Sequence, residues 1–310
     1  MTRASNFAFG LALALYLVGA LAYFHHLAFR RRGSWIAGTS LATLGAAVHL
    51  VSIVLRGVAA GRVPWGNMYE YASVVGFGVV VGYLVLERVS RVRAVGGFAI
   101  GASVLAMAGA TMLYVPPGPL VPALNSYWIR IHVLAAIVGS SLFILGAVFT
   151  ILYLVRDAGE RRAMARQRDE EREPILAGVG GGGLPDDYAV GADRSTETVE
   201  PSRGRLPASD ILDRLAYRTI AFGFPVWTFA VIAGAIWAEQ AWGRYWGWDP
   251  KEVWSFVTWV VFAAYLHARA TVGWRGRRAA VLALVGFGAL VFNLVVVNLV
   301  ISGLHSYAGV

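Results

Sequence analysis

Apolar runs close to twenty residues long recur along the whole chain, at about 7–29, 36–55, 68–86, 95–115, 131–155, 219–238, 253–272 and 281–302. An α-helix rises about 1.5 Å per residue, so each run is long enough to cross roughly 30 Å of hydrocarbon. Lipid supplies no partner for a backbone amide, and a helix satisfies its own. The expected fold is therefore all-α, a polytopic membrane helix bundle of about eight transmembrane helices. With 57% apolar and only 15% charged residues, a soluble globular fold is excluded. The first run is too long for a signal peptide, lacks a small-residue cleavage site and leads directly into Arg30-Arg31-Arg32, so a retained helix is expected.

The basic residues set the expected orientation. Of the 27 lysines and arginines, 21 fall in or beside the segments 30–34, 87–93, 156–218 and 273–278. Positive loops stay in the cytoplasm, which puts both termini on the extracytoplasmic side. This asymmetry accounts for most of the net charge of +9, leaving no soluble basic domain to grip nucleic acid. The chain has no cysteine, so disulfides, thiolate metal sites and thiol redox chemistry within it are excluded.

The organisation read from this pattern is one membrane domain in two parts, helices 1–5 within residues 1–155 and helices 6–8 within 219–310. They are joined by a cytoplasmic linker at 156–218 that is charged at first and Gly-rich later. The linker is expected to begin as an extension of the fifth helix, and "DILDRLAYR" at 210–218 to lie as an amphipathic segment on the membrane surface.

The outward segments are of another composition. Five tryptophans, Trp237, Trp242, Trp246, Trp248 and Trp254, fall within the segment 237–256 around the charged corner Asp249-Pro250-Lys251-Glu252. An interfacial belt would scatter its indoles over both faces of a membrane protein, whereas these are concentrated on one. Pro250 and Glu252 suit the start of a helix, with Lys251 and Glu252 expected as a structural ion pair.

Among six histidines, His132 opens the fifth run and His305 follows the eighth, which puts both level with the tryptophan segment. His267 lies eighteen residues beyond Asp249, about 27 Å along a helix, and His49 lies about 10 Å below the outer surface. Ionisable groups at such depths mark function, although a single buried imidazole is more often a hydrogen-bonded structural one. His25 and His26, near a helix end, are set aside as snorkelling side chains. Two imidazoles facing an aromatic shelf fit a flat apolar ligand that carries a metal. Haem meets that description, with His on the iron, indoles against the macrocycle, and Arg56, Arg130, Arg244 or Lys251 as candidate contacts for its propionates. A zinc site would need a third ligand, for which Asp249 is the candidate.

"WGRYWGWD", residues 242–249, resembles the tryptophan-rich WWD signature of membrane haem-handling proteins of cytochrome c maturation. Its continuation "PKEVWSFVTWVVFAAYLHAR" and the closing "GLHSY" resemble the CcsA/ResC branch, the membrane subunit of the System II cytochrome c synthase, also called CcsB in some bacteria. Similarity extends through "HLVSIVLRGVAAGRVPWGNMYEYAS", "YWIRIHVLAAIVGSS" and "LDRLAYRTIAFGFPVWTFAVIAGAIWA", omitting the first run and the linker.

The resemblance implies that His132 and His305 are external axial ligands of haem b, the transported substrate, and that Trp242, Trp246, Trp248 and Asp249 form the platform around it. It implies a second haem position at the intramembrane His267, whose opposing ligand comes from a ResB-type partner subunit, with His49 a weaker candidate. Haem iron would be the only metal. The expected activity is haem transport across a bacterial cytoplasmic membrane and its presentation to apocytochrome c, whose Cys-x-x-Cys-His thiols form thioethers. Enzyme status would then belong to the complex, no acid–base residue standing out. The alternatives are a System I haem-presenting protein and a haem-bearing subunit that passes electrons to or from quinone.

Overall fold

In a computed structural model the described residues form helices joined by loops, with no strand among them. The structure describes residues 1–90, 92–120, 124–179, 205–301 and 303–304, with side chains in the fifth helix described as far as Asp169. The helices are α1 (Thr2–Phe29), α2 (Arg32–Ala60), α3 (Met68–Ser90), α4 (Gly96–Met112), α5 (Tyr127–Val179), α6 (Ser209–Trp242), α7 (Pro250–Ala270) and α8 (Arg277–Val291). A π-helical turn, Phe292–Val296, and a last helical turn, Val297–Leu299, continue α8. Among the described residues, seven of these segments are long and apolar enough to span a membrane, one fewer than the eight expected. The eighth, α7, has the length at 21 residues but not the apolarity. Trp254, Ser255, Thr258, Trp259, Tyr265 and His267 lower its hydropathy. It is nevertheless built into the bundle, where Phe262 stacks on Phe143 of α5 with centroids 3.9 Å apart.

Without a hydrophobic drive between helices in lipid, close packing depends on small residues. Gly38 and Gly45 of α2 lie against the rings of Tyr23 and Tyr16 of α1, and a Cβ on Gly45 would come within 2.7 Å of Tyr16. At the arginine-rich end, Glu87 of α3 gathers three donors. Trp35 Nε1 donates to it at 2.6 Å, Tyr23 OH at 3.0 Å and Thr39 Oγ1 at 3.2 Å, locking α1, α2 and α3 together. Arg93 stacks over Trp35 at 3.5 Å.

Helix α5 has 53 residues, about 80 Å at helical rise, so its second half projects beyond the bundle. The amphipathic segment 210–218 is not a separate surface element, since it forms the opening turns of α6. Its Leu212, Leu215 and Ala216 are buried, because α5 continues past the membrane and offers them an apolar face. Ser209 Oγ donates to Glu160 at 2.6 Å, and Arg269 of α7 makes two bonds to Asp213, of 2.7 and 2.9 Å. Residues 180–204, the middle of the linker, lie outside the described residues.

Candidate functional site

At the tryptophan-rich end α6 stops at Gly243, which takes the left-handed conformation (φ 70°) and donates its N–H to Glu239 O. The chain then turns tightly, Arg244 folding its guanidinium so close over Gly247 that a Cβ there would meet it at 2.0 Å. Asp249 ends the loop as the N-cap of α7, Pro250 takes the first helical position, and Glu252 completes a capping box. Glu252 Oε2 accepts from Gly247 N–H at 2.8 Å and from Asp249 N–H at 3.1 Å. Lys251 and Glu252 do not pair as expected. Lys251 turns to Asn298 beyond the π turn instead, while Glu252 turns back to the loop.

Asp249 does more than cap. Its Oδ2 accepts from Lys251 N–H at 3.3 Å, and its Oδ1 accepts from Leu304 N–H at 2.7 Å, tying the tail of the chain to the start of α7. Both oxygens are engaged in shaping backbone, which speaks against Asp249 as a ligand of zinc. Replacing Asp249 with alanine removes the cap and the tether together, and the expected loss is about 1–2 kcal/mol from the cap alone. Melting of the purified protein checks it, with Asp249→Asn, which keeps an acceptor, retaining most of the stability.

His132, on α5 near its start, places Nδ1 2.7 Å from the carbonyl oxygen of Ala230 on α6. A carbonyl only accepts, so Nδ1 carries the hydrogen and Nε2 is the lone-pair nitrogen of the neutral ring. This is how metal-binding histidines are commonly oriented. The ring lies nearly parallel to that of Trp237, 11° apart with centroids at 6.4 Å. It also rests against Gly234, where a Cβ would meet Nδ1 at 2.7 Å.

His132 and Trp237 line an open cavity between α5, α6, α7, the π turn after α8 and the loop before α3, with about 1290 Å³ of empty space when the open solvent at its mouth is included. Trp242, Trp246, Arg130 and Lys251 also line it. Trp65 and Asn67 contribute from the α2–α3 loop, and Glu252, Ser255 and Asn293 from α7 and the π turn. The walls are mostly apolar and aromatic, as in small-molecule sites. Three residues that line it each carry a buried polar atom with no hydrogen-bond partner: Trp65 Nε1, Glu252 Oε1 and Asn293 Oδ1. Buried polar atoms are rarely left so.

The other expected site residues lie elsewhere. Trp248 is 71% exposed, with φ 61° turning it out of the cavity, although its ring meets the edge of Trp246. Arg244 folds over Gly247 and is exposed. Arg56 is 3% exposed and bound to Glu70, so it is a structural cation and not one presented to an anion. His49 is buried with both ring nitrogens engaged, Nε2 with Ser73 Oγ at 3.0 Å and Nδ1 with Tyr16 OH at 3.4 Å. His267 is exposed on the outer face of α7, far along the helix from the cavity. His305 lies outside the described residues. Sequence reasoning placed Trp237 and Glu252 in the tryptophan segment but gave neither a part in the platform, and it missed Trp65 and Asn293 as cavity residues, with only the outward position of the Trp65 loop as a hint.

A model of the cytochrome C assembly protein family matches residues 65–305. The chain belongs to that family. The match takes in most of the cavity, from Trp65 in the α2–α3 loop through the α5–α7 region to the π turn. Among curated members of this cytochrome c assembly family, the cytochrome c biogenesis protein CcsA of Crocosphaera subtropica is 38% identical over 298 residues, covering 86% of this chain and 88% of the relative. The CcsA of Gloeobacter violaceus is 34% identical over 326 residues, covering 96% of this chain and 94% of its own length. The CcsA of Porphyra purpurea is also 34% identical, over 317 residues, with 97% and 95% covered. A solved structure named cytochrome c heme lyase CcmF has the same fold, with a TM-score of 0.65 at 16% identity over 94% of this chain. This chain spans 46% of the length of that one.

Proposed function

We propose that this family member is the haem-handling membrane subunit of a cytochrome c synthase. It carries haem b to the outer face of a bacterial cytoplasmic membrane and holds it in the cavity beside His132 while apocytochrome c is joined to it. The observation that carries the reading is His132 itself. The Ala230 carbonyl fixes its tautomer and Trp237 lies parallel to its ring, in an aromatic cavity with unpartnered polar atoms. Relatives that align over nearly the whole chain are named as cytochrome c biogenesis proteins, which supports the same reading.

His305, next to the Leu304 that Asp249 tethers, is the second axial ligand, with Trp242 and Trp246 against the macrocycle. Arg130 and Trp65 Nε1 are the donors for the propionates. With α7 counted as a crossing, eight helices return both termini to the outer face. His267 ends an exposed stripe on α7 that includes Phe256, Val260 and Ala264. A ResB-type subunit covering that stripe supplies the opposing ligand for haem in transit.

The test is to purify the complex with its ResB-type subunit, incubate it with a Cys-x-x-Cys-His peptide under reducing conditions, and assay covalent haem on the peptide. The reading expects haem to leave the complex as the thioether product accumulates. Haem that stays bound and exchanges electrons with quinone would replace this reading with an electron-transfer one.

A further inference from the structure

The cavity has acceptors that haem cannot satisfy. A porphyrin whose four nitrogens hold iron has no N–H to give, and its propionates are themselves acceptors. Glu252 Oε1 and Asn293 Oδ1 line the cavity unpartnered, and the carboxylate of Glu252 repels a propionate. With the propionates at the donors Arg130 and Trp65 Nε1, the opposite, vinyl-bearing edge would face α7 and the π turn. A thiol arriving with the second substrate would bring a donor to Glu252.

The Glu252 side chain is held ready for it. Oε2 is fixed by the N–H groups of Gly247 and Asp249, which holds the carboxylate in the cavity wall with Oε1 buried and unpartnered. The π turn sets Asn293 in the same cavity wall, where Nδ2 donates to Ser255 Oγ at 3.0 Å and Oδ1 remains unpaired. Such turns inside helices often occur at functional sites because the extra residue re-aims a side chain.

We propose that Glu252 Oε1 is the proton carrier of thioether formation, an inference that rests on the haem-presenting reading above. The incoming cysteine gives its S–H proton to Oε1 as sulfur bonds to the vinyl carbon attached to the ring. The vinyl π pair moves to the terminal carbon, which takes the proton back from Glu252. One S–H and one C=C are consumed, one S–C and one C–H are formed, and no oxidant or reductant is used. Positioned acid–base groups of this kind contribute about 10²–10⁴-fold.

The test is Glu252→Gln in the complex with its ResB-type subunit, given a synthetic Cys-x-x-Cys-His peptide. The glutamine oxygen can keep both backbone bonds, so the helix start is preserved while the proton acceptor is lost. The expected result is unchanged haem content and spectrum, with thioether formation slowed about 100-fold. A peptide with selenocysteine, whose selenol is already ionised at neutral pH, should narrow the gap between variant and wild type. A merely structural lesion would slow both peptides alike. If Glu252→Gln does not accumulate, Glu252→Asp, which draws the acceptor back by one methylene, is compared on the same two peptides. Equal thiol rates in variant and wild type would overturn the proposal. So would a defect confined to capture of the peptide histidine by iron. Haem absent from the wild-type complex would instead overturn the haem-presenting reading.

Discussion

Replacing His132 with alanine is expected to reduce haem retained at the outer cavity by at least about tenfold, the range in which lost metal-site contacts fall. The sharp bands of six-coordinate low-spin haem should give way to those of a high-spin, five-coordinate form in whatever remains. The ring that would be lost is oriented by the Ala230 carbonyl and braced by Trp237 and Gly234. Added imidazole should restore the low-spin spectrum, because the alanine leaves room for it. Trp248→Ala is the contrast within the same sequence motif, and its exposed indole predicts near-normal haem content. A visible spectrum of each purified variant decides the matter. Undiminished low-spin haem in His132→Ala would move the ligand elsewhere.

The largest stability effect is expected from Glu70→Ala. Glu70 is 1% exposed and accepts from Arg56 Nε at 3.0 Å, Arg62 Nη1 at 2.7 Å and the N–H of Gly66 at 2.8 Å. Arg56 also donates to the carbonyl of Val115 and lies over the ring of Tyr69. Removing the only carboxylate of this group strands a buried guanidinium, which costs about 3–5 kcal/mol. The damage reaches the cavity because Gly66 is flanked by Trp65 and Asn67, both in its wall. Unfolding of the purified variant in detergent, read beside its haem content, should show both losses. Glu70→Gln keeps one oxygen for Gly66 and should recover part of the stability. A melting midpoint equal to wild type would show that the two arginines find other partners.

Arg56 also illustrates what a sequence hides. An arginine at the outer end of a helix reads as free to meet an anion, and nothing in the residues between 56 and 70 announces the pair that the loop closes. Seven of the spans were legible because each holds a long apolar run, and lipid leaves such a run little alternative to a helix. The extension of α5 into the charged stretch after 155 was legible too, whereas α6 begins earlier than expected, at Ser209, because α5 offers its first turns an apolar face. That pairing is a tertiary fact. His132 was readable from its position at the start of a run beside the tryptophans. Trp248 was not, since membership of a motif does not set direction and a single left-handed residue turns the indole outward. Glu252 and Asn293 lie 41 positions apart, and only the π turn brings both to the cavity.

The modest apolarity of α7 bears on how the protein is made. A segment rich in tryptophan, hydroxyl and imidazole groups partitions poorly into lipid by itself, whereas α6 before it and α8 after it partition readily. During synthesis α7 is therefore held by its neighbours rather than by the bilayer, through Phe262 on Phe143 and the Arg269–Asp213 pair. A ribosome that stalls before α8 would leave the tryptophan loop without the helix that completes its pocket. The wall that α8 and its π turn supply is thus the last part of the cavity to be assembled.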